Sequence, residues 1–155
     1  MSDFRAIRAK IAAMETGARE RFGVAPFGVA GLDARLPGGG LGLGRWHEVV
    51  ATGLEAETSA APAAFAALAA APLARRGEAV WVLRRDDLWA PGLAGLGFPH
   101  ERLIQVCARD EAEALSVMED ALSTVGVCAV FGEVEGVDLT AGRRLQLACE
   151  KRGAT

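Results

Sequence analysis

The sequence contains few of the residues that build disulfide frameworks or metal sites. It has three cysteines and two histidines in 155 residues. Cys107, Cys128 and Cys149 are far apart and none belongs to a C-x-x-C pair, so neither a disulfide framework nor a zinc site is expected. His47 and His100 are not joined by any pattern of neighbouring ligands, so we expect no metal ion. This cysteine usage fits a reducing cytoplasm.

The sequence also lacks a strong excess of charge and a long apolar run. A net charge of -3 and a pI near 5.4 give no overall attraction to phosphate backbones, so DNA contact should be local or indirect. The first residues mix acids and bases, which argues against a signal peptide. Residues 60–74 are mostly alanine, interrupted by Pro62 and Pro72, and this stretch favours a buried helix over a membrane span. We therefore expect a cytoplasmic protein without a membrane partner.

The remaining composition favours one globular α/β domain, since 51% of residues are apolar and 24% are charged. Short runs rich in Val, Ile, Trp and Leu predict strands over residues 45–51, 79–83, 103–108 and 127–131. Between and after them, helical patterns cover residues 60–74, 110–124 and 140–152, the last with Thr140 as its cap. Strands separated by helices require crossover connections, which predicts a mainly parallel sheet in a three-layer domain.

An amphipathic helix is predicted at the N-terminus, with Ser2 or Asp3 as cap. Its apolar residues recur at three- and four-residue spacing. They are Phe4, Ile7, Ile11, Met14, Ala18 and Phe22. This helix, residues 1–22, precedes a core of residues 23–155, which begins with a loop-like, glycine-rich segment over residues 23–44. Because the chain stops as a helix finishes, without a further strand, we expect the core to continue beyond the C-terminal side, the alternative being a complete domain with a terminal helix.

The turn after the first predicted strand is where a phosphate loop would lie. Such a loop needs G-x-x-x-x-G-K-[ST], in which glycines form the cradle and lysine reaches the phosphates. Here alanine replaces both glycines and glutamate replaces lysine, and only one hydroxyl position is retained. A carboxylate about 4 Å from a phosphate charge would repel it by about 4 kcal/mol at an effective dielectric near 20. The residues of this degenerate loop are Ala51, Gly53, Ala56, Glu57, Thr58 and Ser59.

A second deficiency occurs at the end of the strand over residues 127–131. A nucleotide hydrolase would carry an aspartate there for magnesium, but this chain has Gly132, followed by Glu133 as either a substitute or a solvated residue. Residues 84–87 follow another strand with the sequence Arg-Arg-Asp-Asp, which indicates either a ligand-facing edge or a mixed-charge loop whose members pair. The sequence therefore predicts no catalytic residues and no bound cofactor.

Several motifs resemble the entrance to a RecA-type core. Residues 28–33 fit G-x-x-x-L-D, and a glycine-rich turn follows before the first predicted strand. Within that superfamily the sequence is most similar to the ImuA family, whose members were formerly labelled SulA-like, on Leu-Pro-Gly-Gly-Gly-Leu at residues 36–41 and His-Glu-Val at residues 47–49. Later agreement covers residues 87–93, 113–122 and 138–148, so the resemblance spans nearly the whole chain.

The resemblance implies a RecA-like accessory protein in SOS-induced translesion DNA synthesis and mutagenesis. It implies as partners an ImuB-like Y-family polymerase homologue and an error-prone replicative-type polymerase, with RecA or a second copy as further candidates and DNA only indirectly. With the loop degenerate, we expect a non-catalytic adaptor. The alternatives are a nucleotide-binding switch that uses Thr58 and Ser59, and a SulA-type inhibitor of cell division.

Two surfaces are candidates for partner contact, and each has a second interpretation. The N-terminal helix either packs on its own domain or docks on another molecule. The arginines near the C-terminus, with Lys151 and Arg152, form either a basic patch for DNA or an acidic partner, or a solvated helix face. The candidate contact residues are Phe4, Ile7, Ile11, Met14, Arg143 and Arg144.

Overall fold

The computed structural model describes residues 2–52 and 60–155. Its helices and strands alternate along most of the chain, as the sequence predicts. The elements are α1 (Ser2–Phe22), β1 (Val24–Ala25), α2 (Ala30–Asp33), β2 (Leu41–Gly42), α3 (Ala60–Ala74), β3 (Glu78–Leu83), β4 (Leu103–Cys107), α4 (Glu111–Ser123), β5 (Val127–Gly132) and α5 (Leu139–Arg152). Two short 3-10 helices, Ala90–Leu96 and His100–Arg102, lie between β3 and β4.

The main sheet has three parallel strands in the order β4-β3-β5. Val80 of β3 is in register with Ile104 on one side and with Val130 on the other. Parallel strands need crossover connections, and α4 connects β4 to β5, which lie on opposite sides of β3. The predicted mainly parallel sheet is confirmed.

Helices cover both faces of the central strand, which gives the domain three layers. Ala79, Trp81 and Leu83 point to one face and pack with α3 and with Leu93 and Phe98 of the following segment. Val80 and Val82 point to the other face and pack against α4. Beyond them, α5 packs on α4 through Leu145, Ala148 and Cys149. A strand that is buried on both faces has a continuous apolar sequence, and this run predicts β3 directly.

The strand predicted over residues 45–51 is wrong, because the structure has no strand there. Trp46 packs into the cluster around Leu145, whereas Val49 and Val50 are 40% and 70% exposed. The neighbouring edge of β5 is instead bonded to Thr155, whose N–H donates to the Cys128 carbonyl (3.3 Å) and whose carbonyl accepts from the Val130 N–H (2.8 Å). The β-propensity of the valines does not decide the outcome, because a strand also needs a partner edge and Thr155 takes the one on β5.

The predicted cap of α5 is also corrected. The helix begins at Leu139, and its N-cap is Asp138, whose Oδ1 accepts a hydrogen bond of 2.7 Å from the Ala141 N–H. A carboxylate at this position satisfies a free backbone donor and interacts favourably with the helix dipole. Thr140 lies inside the first turn and is exposed.

Replacing Asp138 by alanine is expected to lower the free energy of unfolding by about 1 kcal/mol, because the Ala141 N–H loses its acceptor. Thr140→Ala is the matched control and should change the free energy of unfolding by less than about 0.5 kcal/mol. Urea unfolding followed by circular dichroism measures both. A larger loss for the Thr140 variant would contradict the assignment of Asp138 as the cap.

The predicted N-terminal helix is present as α1, and its last residue is held by the domain. The Phe22 ring lies against Gly44 and Gly153, so close that a β-carbon on either glycine would be within 3 Å of a ring carbon. Among residues 2–52 and 60–155, none of the helices has the length and apolar character needed to cross a membrane.

Candidate functional site

The carboxyl ends of the three parallel strands meet at one edge of the sheet, where ligands bind in many open α/β folds. Residues 84–87 follow β3 there, and Arg85 pairs with Asp87 at 3.5 Å on the exposed surface. Within residues 2–52 and 60–155, the buried Arg84 Nε has no hydrogen-bond partner. After β4, the Arg109 guanidinium and backbone N–H both bond to Glu113, which lowers the pKa of that carboxyl. The charged side chains at this edge are thus largely engaged with one another.

Glu133, the residue considered as a substitute for a magnesium ligand, is tied to the core. Its Oε1 accepts a hydrogen bond of 3.3 Å from the Trp81 indole N–H, and its own N–H donates to the Val82 carbonyl. The Trp81 ring in turn stacks on Phe131, with centroids 4.4 Å apart. Glu133 is exposed, and its carboxylate is hydrogen-bonded to a buried tryptophan of the central strand.

The predicted phosphate loop falls mostly outside the described residues, which include Ala51 and Thr52 but none of residues 53–59. Gly53, Ala56, Glu57, Thr58 and Ser59 therefore have no structural description. A cleft of about 290 Å³ borders the loop. Its described lining is apolar except for Thr52, and it consists of Val49, Val50, Ala51, Thr52, Ala61, Pro62 and Phe65. None of these described lining residues carries a charge that could hold a phosphate or a magnesium ion.

The described apolar residues in the N-terminal half of α1 are exposed. Phe4 is 80% exposed, and Ile7 and Ile11 are each about half exposed, at 52% and 51%. Their spacing places them on one helical face. Met14 belongs to the same predicted stripe, but its side chain is outside what the structure describes. Exposed large apolar side chains in a row are typical of a surface that binds another protein.

The two predicted arginines of α5 have different surroundings. Arg144 forms an ion pair with Glu119 of α4, whereas Arg143 is exposed and pairs with no described residue. Lys151 is likewise exposed and unpaired within the described ranges, while Arg152 Nε donates to the Ser123 carbonyl at 2.9 Å. The structure thus separates the predicted basic patch into two arginines that bind the domain and two cations that face solvent.

Two leucines of α5 were missed by the sequence reasoning. Leu139 is 95% exposed and Leu147 is 51% exposed. They lie eight residues apart with Arg143 midway, so the i, i+4, i+8 spacing could have placed all three on one face. Because leucines in a helix are usually buried in the core, the sequence alone does not indicate that these two are exposed.

Other chemically active side chains are engaged in local contacts. His47 is exposed and its Nε2 lies 2.7 Å from the Gly42 carbonyl oxygen. Burial raises the pKa of the Cys149 thiol to about 12, so this group is un-ionised at neutral pH. Across residues 2–52 and 60–155, no three histidine, cysteine, aspartate or glutamate side chains converge in a way that could hold a metal ion.

The fold defines the class of protein. No protein-family model matches the sequence. The crystal structure of SulA from Pseudomonas aeruginosa superposes with a TM-score of 0.57 and 20% sequence identity, covering 70% of this chain and 91% of that chain. At this identity the match establishes the fold alone, so the chain is a SulA-like α/β protein preceded by a long N-terminal helix.

The family follows from two curated relatives. Each is named Protein ImuA, one from Caulobacter vibrioides strain NA1000 / CB15N and one from strain ATCC 19089 / CB 15, and each is 63% identical over 142 residues. The alignments cover 90% of this chain, which spans 58% of the length of these relatives. The chain belongs to the ImuA family, and the resemblance predicted from the sequence is confirmed.

Proposed function

We propose that the chain is a non-catalytic adaptor in damage-inducible mutagenesis and that it binds its partners through surfaces outside the sheet edge. The observation that carries the proposal is the exposed stripe of Phe4, Ile7 and Ile11 on α1, whose C-terminal end is anchored by Phe22. A helix fixed at one end with an uncovered apolar face suits docking into a groove of another protein. Membership in the ImuA family supports the cellular role.

The partner expected for α1 is the ImuB-like Y-family polymerase homologue. An amphipathic helix contributes two or three apolar anchors to such a contact, and each can be worth more than about 1 kcal/mol. The error-prone replicative-type polymerase would join the same assembly. Catalysis would then belong to the polymerases, and this chain would contribute binding.

The test is an Ile7→Asp/Ile11→Asp variant, introduced into the gene that encodes the chain. We expect capture of the ImuB-like protein to fall at least about tenfold, because two carboxylates would be buried without partners. We also expect the UV-induced mutation frequency to fall toward that of a strain without the gene. Western blotting must confirm equal protein levels.

The matched control is Val125→Asp, which places the same charge on another exposed apolar residue, 74% accessible and located between α4 and β5. It should leave capture and mutation frequency unchanged. Normal capture and normal mutagenesis by the Ile7/Ile11 variant would contradict the proposal.

Two other experimental results would favour a different function for this chain. Micromolar binding of ATP with magnesium, measured by calorimetry, would favour the nucleotide-binding switch and contradict the expectation for Glu57. Filamentous growth on overexpression, with unchanged damage-induced mutation, would favour a SulA-type inhibitor of division.

A further inference from the structure

The outer face of α5 combines exposed apolar and cationic side chains. Leu139 (95% exposed), Arg143 and Leu147 (51% exposed) follow one another at four-residue intervals, and Lys151 continues the row. We call these four residues the α5 row. At 1.5 Å rise per residue the two leucines are about 12 Å apart along the helix axis, with the arginine midway.

Among the described residues, none compensates the positive charge of Arg143 or Lys151. Four basic residues and one acidic residue occur in α5, although the whole chain has a net charge of -3. The acidic residue, Glu150, accepts a hydrogen bond of 2.8 Å from Gln146, and Arg144 is paired with Glu119. Arg143 and Lys151 remain free of any described partner. The row therefore presents two unpaired cations between and beside two exposed leucines.

A cleft of about 270 Å³ lies beside the N-terminal half of the row, between α4 and α5. Its apolar lining includes Leu115, Ala141 and Leu145, and the charged residues at its border are Glu119, Asp138 and Arg144. Thr140, the neighbour of Leu139, is part of this lining. A cleft of this kind can take an apolar side chain of a partner, next to leucines that the same partner would cover.

We propose that the α5 row binds an acidic amphipathic helix of a partner protein, whose carboxylates face Arg143 and Lys151 and whose apolar residues cover Leu139 and Leu147. The complementary charge orients the partner, and burial of the two leucines supplies affinity. Double-stranded DNA is less suited to this surface, since its phosphates would satisfy the cations but would leave Leu139 uncovered. The proposal deepens the adaptor function and rests on it for its biological meaning.

The experiment uses the full chain and two fluorescein-labelled helical peptides of about 16 residues. One has leucine at every third or fourth position with glutamates between, and the other has lysine in place of each glutamate. Fluorescence anisotropy should give saturable binding of the glutamate peptide and none of the lysine peptide. Amide shifts in NMR spectra should map to α5 and to the cleft beside it.

Variants of the row give the decisive comparison. Leu139→Ala/Leu147→Ala should weaken binding of the glutamate peptide at least about tenfold, and Arg143→Glu should do the same. Arg143→Glu should in addition gain binding of the lysine peptide, which a merely unfolded or distorted variant would not. The matched controls are Leu68→Ala, 49% exposed on α3 at the opposite face of the sheet, and Arg75→Glu just after α3. Both should bind within twofold of the unsubstituted chain.

Three results would overturn the proposal. The first is the absence of saturable peptide binding up to about 1 mM, and the second is equal affinity of the row variants and the controls. The third is binding of a labelled DNA duplex of about 20 base pairs by a chain that does not bind the peptide. If Arg143→Glu abolished that DNA binding, the row would be a nucleic-acid surface. The peptide assay needs neither α1 nor a mutagenesis readout. Normal capture and a normal mutation frequency in the Ile7/Ile11 variant, together with the expected binding of the glutamate peptide, would therefore reject the proposed adaptor function alone.

Discussion

Replacing Trp81 by alanine is expected to lower the free energy of unfolding by about 3–5 kcal/mol, the largest effect of any single substitution considered for this chain. The side chain is 2% exposed in the central strand and stacks on Phe131. Its removal would leave a cavity between the sheet and α3, and it would also free Glu133 from its hydrogen bond. Since domains of this size are stabilised by about 5–15 kcal/mol, the loss is a large part of the total.

The control for this substitution is Trp89→Ala, which removes the same side chain from a site that is 74% exposed. We expect a change below about 1 kcal/mol, as surface substitutions usually give. Urea unfolding monitored by circular dichroism measures both variants. Trp81→Phe keeps most of the packed volume and should fall between them. Equal losses for Trp81→Ala and Trp89→Ala would mean that the sheet is not packed as described.

The second large effect is expected for Gly77→Ala at the entrance to β3. A β-carbon built at Gly77 would lie 2.4 Å from the Gly126 carbonyl oxygen, and that oxygen also accepts the Glu78 N–H. The obstacle is backbone, so it cannot rotate away as a side chain would. The strands β3 and β5 would have to separate locally, at a cost of about 1–3 kcal/mol or more.

Gly136→Ala is the matched control, since a β-carbon there would meet no atom within 4 Å among the described residues other than its chain neighbours. Its expected effect on the free energy of unfolding is within about 0.5 kcal/mol. Thermal unfolding should separate the two variants, with a drop of about 2–4 °C in melting temperature per kcal/mol for a chain of this length. A Gly77 variant with an unchanged melting temperature would disagree with the close approach of β3 and β5.

Much of the fold could be predicted because its signals are local. The apolar run of β3 and the helical stripe of α4 each lie within a dozen residues, and both were found with small errors at their ends. The segment over residues 45–51 was misassigned for the opposite reason. Whether Val49 and Val50 join a sheet depends on a free strand edge, and the edge of β5 is bonded to Thr155, more than one hundred residues further along the chain. No local pattern contains that information.

The two candidate surfaces also differ in whether the local sequence predicts them. The stripe of α1 followed directly from the spacing of its apolar residues. The exposure of Leu139 and Leu147 did not, because burial of α5 is decided by which of its faces meets α4. The hydrogen bond between Trp81 and Glu133 joins residues 52 positions apart, so the local sequence around neither residue predicts it.

The packing of Trp46 makes its intrinsic fluorescence a probe of the position of α5. Its indole ring lies against Gly142 of α5, in the cluster through which this helix packs on the domain. Of the three tryptophans, Trp81 is enclosed and Trp89 is open to water, so only Trp46 occupies an intermediate environment next to this helix. In a Trp89→Phe variant the fluorescence would come from Trp81 in the core and from Trp46 beside α5. A movement of α5 on partner binding would then change the Trp46 emission, so no attached dye would be needed.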